Sequence, residues 1–440
     1  MGQVVTRSPE VTVDLGGGAF RRDIPRNLPK NSRMIALGDS RTAFGVGNGA
    51  FVSKGTIPWL RVLTRQAFDC DLADIFATSG YTTAQIVATH LPGAVASTAG
   101  ACLVLAGIND RNVSAGPMTY AQTIANLTVI RDQLKASGKT VIFLAETPRG
   151  NSTFTADRLT GGPLADHLRV RQWLLSQSQV SGCYVIDPWE YLADQASTTG
   201  DNQAIYYGAD AVHPTQYGAF YGYGKVGAPV LNKLFPPRPI LPASNTDVYD
   251  AVNNLTGVLS TNPMTQGSSG TVAGTGASGT ASNGVTIQTI NATGLTVVCA
   301  PVTAGTKRWD QITVSGTPTS AGPEVRFNLA AIAAGSLAAG DVIDGFCEFE
   351  IDAGQTGVNC TTLIMIDAGA SGGSLTRSDL DRSQATDTYP TDAINGILRV
   401  PKFAIFSSNT VSPRFVVKLL QNVAASCVVR VRCIGARKVI

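Results

Sequence analysis

Five short runs of apolar residues, none broken by a polar side chain, constrain this chain more than any other feature: Met34-Ile35-Ala36-Leu37, Ile75-Phe76-Ala77, Leu103-Val104-Leu105-Ala106, Val141-Ile142-Phe143-Leu144 and Val185-Ile186. Strands that are apolar at every position are buried on both faces, as in a parallel sheet covered by helices. The intervening segments have the helical period. Ile124, Leu127, Ile130 and Leu134 recur at helical spacing, and Ser137-Gly138 stops the run before the fourth strand, which is the pattern of a βαβ crossover. Trp173, Leu174 and Leu175 lie in another helical segment before the fifth strand. The expectation is a flavodoxin-like, doubly wound α/β sheet over residues 34–237.

After Phe235 the pattern changes. The run Pro236-Pro237-Arg238-Pro239 cannot continue a helix, so residues 238–262 read as a linker, with a short helical stretch near Val248 to Leu255. Residues 266–284 are rich in Gly, Ser and Thr and are equally a flexible linker or an edge strand with glycine turns. From Val285 onward strand signals recur with no long helix between them: Leu295–Cys299, Gln311–Val314, Val325–Leu329, Phe346–Ile351, Thr362–Ile366, Phe403–Phe406, Phe415–Leu420 and Cys427–Cys433. In the last, Val429 and Val431 alternate with Arg430 and Arg432, as in a sheet with one wet face. An all-β sandwich of jelly-roll type is expected over residues 263–440. Residues 1–33 have no core of their own and read as an arm or docking segment. The two halves are expected to separate on cleavage near 238–262, the first keeping its activity on a small ester.

With 440 residues the chain is long enough for more than one core. Charged residues make up 15% and the formal charge is +3, too little to point to nucleic acid or an anionic membrane. The opening Met1-Gly2-Gln3-Val4-Val5 has no apolar signal-peptide region, and Met1, Gly2 and Thr6 match the myristoylation pattern only as chance would. The chain is therefore expected to be made in the cytoplasm and to reach the outside by lysis. The eight cysteines form no CxxC pair and no metal-ligand spacing, so no metal or other cofactor is expected and Cys102 and Cys183 read as buried free thiols.

The three histidines are 90, 167 and 213, all in the first half. His213 lies in Asp210-Ala211-Val212-His213-Pro214. That spacing lets the Asp210 carboxylate reach Nδ1 of the imidazole, and Pro214 favours a loop there. His90 and His167 have no comparable pattern and read as structural or surface residues. The first strand runs directly into Gly38-Asp39-Ser40, the second is followed by Ser79-Gly80, and the third by Gly107-Ile108-Asn109-Asp110. Taken singly, Ser40 is a helix cap and the others are turn residues. Together they place Ser40, Gly80 and Asn109 at the carboxyl edge of one sheet, where ligand crevices form.

These four blocks, in this order, closely resemble those of the SGNH/GDSL hydrolases over roughly residues 33–235. One departure is Ile75, where many members carry an asparagine five residues before the second-block glycine. The resemblance implies a serine esterase with Ser40 as nucleophile, His213 as general base and Asp210 orienting it. Its oxyanion hole would comprise the Ser40 and Gly80 amides and the Asn109 side chain. The C-terminal half looks like the carbohydrate-binding jelly rolls that follow SGNH domains in phage virion and prophage proteins. That likeness implies an O-acetylesterase acting on an acylated bacterial surface polysaccharide, as a virion-associated tail spike or fibre. The arm would dock to other virion proteins and the assembly would be a homotrimer. Two other readings stay open: a lipase or thioesterase, and a non-enzymatic receptor-binding or structural virion protein on the same scaffold.

Overall fold

The computed structural model describes residues 28–111, 117–332, 336–367, 375–382, 384–406 and 411–440, so most of the expected N-terminal arm, residues 1–27, lies outside the described residues. The first half contains β1 (Met34–Gly38), β2 (Val46–Gly47), β3 (Ala50–Val52), β4 (Ile75–Ala77), β5 (Ala101–Leu105), β6 (Thr140–Leu144) and β7 (Cys183–Ile186). The five apolar runs form one parallel sheet in the order β4-β1-β5-β6-β7, with Leu37 opposite Val104 and Cys102 opposite Val141.

Successive side chains in each run serve opposite faces. Ile35, Leu37, Val104 and Phe143 pack under Ile86, Leu127, Ile130 and Val170, whereas Met34, Ala36, Leu103 and Ile142 pack under Trp59, Leu60, Phe220 and Leu231. The helix Tyr120–Ala136 starts where Thr119 accepts from the Gln122 N–H while Gln122 reaches back, a capping box. It ends at Ser137, before Gly138 turns the chain into β6.

The second half is all-β: β8 (Thr271–Ala273), β9 (Ala277–Gly279), β10 (Val285–Ile290), β11 (Leu295–Ala304), β12 (Lys307–Gly316), β13 (Glu324–Leu329), β14 (Val342–Ile351), β15 (Val358–Asp367), β16 (Leu375–Asp381), β17 (Ile394–Arg399), β18 (Phe403–Ala404), β19 (Val411–Leu419) and β20 (Ala425–Lys438). Residues 266–284 thus include two short strands. They form two mainly antiparallel sheets, one running β3-β16-β15-β19-β13-β10-β8 and the other β17-β14-β20-β12-β11-β9. Val429 and Val431 point into the core as expected, but Arg432 is only 8% exposed and pairs with the buried Glu348, which also takes Arg65 and Lys307. The buried carboxylate of Glu348 thus holds Arg432 inward, while Arg65 and Lys307 reach it from the surface. Residues 248–258 form no helix. Val248 bridges to Val258 and Asp250 to Asn254, with Asp250 accepting from the N–H groups of Val252 and Asn253 in a tight turn.

The structure joins what the composition separates. The β2-β3 hairpin leaves the α/β unit and adds to the C-terminal sheet, with Ala50 opposite Ser378 and Val52 opposite Asp381 in a parallel pairing. The helix Thr56–Leu63 is buried between the two units. Arg61 pairs with Asp379 at 3.0 Å and donates to the Arg399 carbonyl at 2.7 Å, and Trp59 lies 5.8 Å from the Tyr389 ring. Asp69 receives Arg399 and Lys402 from the β-sandwich. Burial alone would raise its pKa, but those cations and Arg238 bring it down to about 2. Within 238–262, Ile240, Val258 and Leu259 are buried, and Leu259 N–H donates to the Ala436 carbonyl. Among the described residues no helix is long and apolar enough to cross a membrane.

Candidate active site

Gly38 ends β1 where a Cβ would lie 2.6 Å from the Leu105 carbonyl oxygen, so only glycine lets β1 and β5 run side by side to this edge. Asp39 then caps the four-residue helix Ser40–Ala43, its Oδ1 accepting the Arg41 N–H at 3.0 Å. This turn brings Ser40 to the carboxyl edge of the sheet, 4% exposed.

The Asp210–His213 loop is fixed from several sides. Ala211 adopts a left-handed φ of 50°, and its carbonyl accepts from the Gly150 N–H and the Asn202 amide. Asp210 Oδ1 accepts from the N–H groups of Val212 and His213, both at 3.0 Å. Its Oδ2 is 2.7 Å from His213 Nδ1, and His213 Nε2 is 2.7 Å from Ser40 Oγ. A carboxylate only accepts, so the ring proton belongs on Nδ1 and Nε2 is left to accept from the Ser40 hydroxyl. Burial would raise the Asp210 pKa, but the hydrogen bonds from the His213 ring and from the two backbone N–H groups outweigh it and hold the carboxyl well below the usual range. The Phe44 ring packs on the imidazole at 4.6 Å.

Gly80 has φ +80° and nothing within 4 Å of the position a Cβ would take, so the space beside its Cα is open. Asn109 donates one Nδ2 hydrogen to the Tyr81 carbonyl at 3.1 Å, which ties the third block to the second. Asp110 strengthens the tie by accepting from the N–H and hydroxyl of Thr83 and from the Thr123 hydroxyl. Support for the Gly80 loop also comes from His90, whose Nε2 is 2.9 Å from Thr78 Oγ1. The strand-edge Ile75 instead packs against the apolar core. His167 is buried, with Nε2 2.9 Å from the Thr147 carbonyl, and burial lowers its pKa to about 3. It is a neutral structural residue.

Sequence reasoning missed a buried ionic cluster directly behind the nucleophile. Arg41 donates twice to Asp39 and also to Glu146 Oε2 at 2.9 Å and Thr147 Oγ1 at 3.1 Å. Both Arg41 and Glu146 are buried. An arginine after the serine and a lone acid at the end of a buried strand were the available signals. One guanidinium cannot neutralise two carboxylates. Burial pushes the Glu146 pKa up and Arg41 offsets this only in part, leaving it at about 7 against an ordinary 4.5. Between those values the folded protein keeps a proton that the unfolded chain has lost. The associated stability is complete below about 4.5 and is lost as pH rises through about 7. Urea unfolding of wild type and Glu146→Gln is expected to show wild type losing roughly 1–3 kcal/mol relative to the variant from about pH 4.5 to about pH 8. A pH-independent difference would make Glu146 an ionised partner of Arg41 throughout.

The arrangement can take the proton of a serine hydroxyl and return it to a leaving group. Residues 36–219 match the sequence profile of the GDSL-like Lipase/Acylhydrolase family. No curated protein matches the chain. Among solved structures, a GDSL-like lipase from Bacteroides thetaiotaomicron is 15% identical, with a TM-score of 0.36, covering 46% of this chain and 89% of its own. A carbohydrate esterase family 3 structure from Talaromyces cellulolyticus is 15% identical, with a TM-score of 0.34, covering 46% and 98%. An acetyl esterase variant with acetate ion is 16% identical, again with a TM-score of 0.34, covering 46% and 98%. The α/β unit thus combines the sequence profile of the GDSL-like Lipase/Acylhydrolase family over residues 36–219 with a five-stranded parallel sheet of the SGNH type.

Proposed function

We propose that the α/β unit is a serine esterase with Ser40 as nucleophile, His213 as general base and Asp210 as the group that orients it. The observation that carries this reading is the unbroken path from Asp210 through His213 to Ser40, with 2.7 Å at each link. Ser40 Oγ attacks the ester carbonyl carbon while its proton passes to His213 Nε2. The imidazolium then gives that proton to the departing alcohol. Water, deprotonated by the same nitrogen, attacks the acyl-enzyme, and the acid leaves as Ser40 recovers its proton. The Ser40 and Gly80 amides and the Asn109 side chain hold the tetrahedral oxyanion, each such donor being worth roughly 3 kcal/mol in the transition state.

The substrate we assign is a short acyl ester, an O-acetyl group on a bacterial surface polysaccharide, and the setting a virion-associated spike or fibre. Support comes from the open edge at Ser79 and Gly80, which are both exposed. A cavity of about 340 Å³ in the β-sandwich, beside Thr271, Thr286 and Asn328, is lined by none of the proposed catalytic residues. The weakly charged surface suits a neutral polymer better than a lipid interface. The purified protein is expected to hydrolyse p-nitrophenyl acetate at least about 10-fold more efficiently than the octanoate, and to release acetate from host capsule or lipopolysaccharide. A preference for octanoate would favour the lipase or thioesterase reading. A folded protein inert to every ester would favour a non-enzymatic scaffold.

A further inference from the structure

Gln216 is fully buried and opens the helix Gln216–Ala219, three residues after His213. Its amide makes contacts in three directions. Nε2 donates to the backbone carbonyls of Asn359 and, at 2.9 Å, Thr388, both in the β-sandwich. Oε1 accepts from the Ser53 hydroxyl at 2.8 Å. Ser53 itself donates its N–H to the Asp381 carbonyl at 2.9 Å, at the end of β16. The Asn359 side chain is locked in turn, donating to the carbonyls of Gln384 and Asp387 and accepting from Arg382.

These contacts close a ring around the reacting pair. From Ser40 the chain runs to Phe44, whose N–H donates to the Ser40 carbonyl at 2.9 Å and whose ring packs on His213. Gly45 then accepts from the Val52 N–H at 2.8 Å, closing the hairpin loop that delivers Ser53 to Gln216. On the other side, Thr215 N–H donates to the Tyr206 carbonyl at 3.0 Å and Thr215 caps the helix that Gln216 begins. We infer that Gln216 is a positioning residue through which the C-terminal β-sandwich sets the Ser40–His213 geometry, making that sandwich part of the support of the active site.

Only a primary amide fits this place. Glutamate would turn a second acceptor toward two carbonyls, and an apolar side chain of the same length would leave both carbonyls and the Ser53 hydroxyl unpaired. The expected cost is kinetic, because misplacing a base by about an ångström slows proton transfer by roughly 100-fold without touching substrate binding.

The inference rests on the Ser40–His213–Asp210 reading. It is tested on the full chain with Gln216→Met and Ser53→Ala, measuring kcat and KM for p-nitrophenyl acetate, the fraction of sites labelled by a fluorophosphonate, and melting. In Gln216→Met, kcat per labelled site is expected to fall about 10- to 100-fold with KM within about 3-fold. Ser53→Ala leaves both sandwich contacts in place and should lose about 3- to 10-fold in the same manner. If Gln216→Met does not fold, Gln216→Asn, which keeps the amide but draws it back from the Asn359 and Thr388 carbonyls, decides the question by the same kcat per labelled site. Unchanged kcat per labelled site in a folded variant overturns the inference, as does a loss that merely follows the labelled fraction. If wild type is not labelled, or Ser40→Ala keeps its activity, the catalytic reading itself fails instead.

Discussion

Replacing Ser40 with alanine is expected to lower hydrolysis of p-nitrophenyl acetate by roughly 10⁴-fold or more, to the level sustained by the oxyanion donors and binding alone. The variant removes the atom that forms the acyl bond, the Oγ that lies 2.7 Å from His213 Nε2. Stability should change by no more than about 1 kcal/mol, since a single hydroxyl hydrogen bond is lost and the helix cap is supplied by Asp39. Initial rates and thermal unfolding on the same preparation check both statements. Turnover within about 10-fold of wild type in a folded variant would remove Ser40 from the mechanism.

Truncation after residue 237 is expected to destroy activity even toward a small soluble ester, by about 100-fold or more, and to leave a poorly folded fragment. This reverses what the change of composition after Phe235 suggests. The cut would strip Tyr389 from Trp59 and Asp379 from Arg61, and would remove the carbonyls that hold Gln216. It would also leave β3 without β16, an unpaired edge in a chain that has lost its covering sheet. Tryptophan fluorescence, dye binding to exposed apolar surface and esterase rate would report the outcome. A cooperatively folded fragment with the kcat of the full chain would show that the two units are independent.

Much of the fold was legible because its signals are local. The three central parallel strands are apolar runs buried at every position, whereas the edge strands Ile75–Ala77 and Cys183–Ile186 are partly exposed because each has a neighbour on one side only, and Ser137-Gly138 marks a helix end by its own backbone preference. Ser40, Gly80, Asn109, Asp210 and His213 were legible for a related reason. Each follows a buried strand or sits in a short fixed spacing, so the chain itself carries it to one edge. The strands Val285–Ile290, Leu375–Asp381 and Ile394–Arg399 were not singled out. The last two are broken by charged residues or a glycine, so no sustained apolar alternation marks them.

What only the tertiary structure decided is how the halves meet. The segment Val46-Gly47-Asn48-Gly49-Ala50-Phe51-Val52 has two glycines and no sustained alternation, and it becomes a hairpin because a sheet edge more than 300 residues away supplies hydrogen bonds to it. Gln216 and Glu146 are likewise ordinary polar residues by sequence. Their importance comes from the partners that burial presents: three backbone and hydroxyl groups around an amide in one case, and a shared guanidinium in the other. Local sequence specifies what a segment can form on its own. Pairing at long range is set by which groups the folded chain leaves without water, and that becomes visible only once both partners are in place.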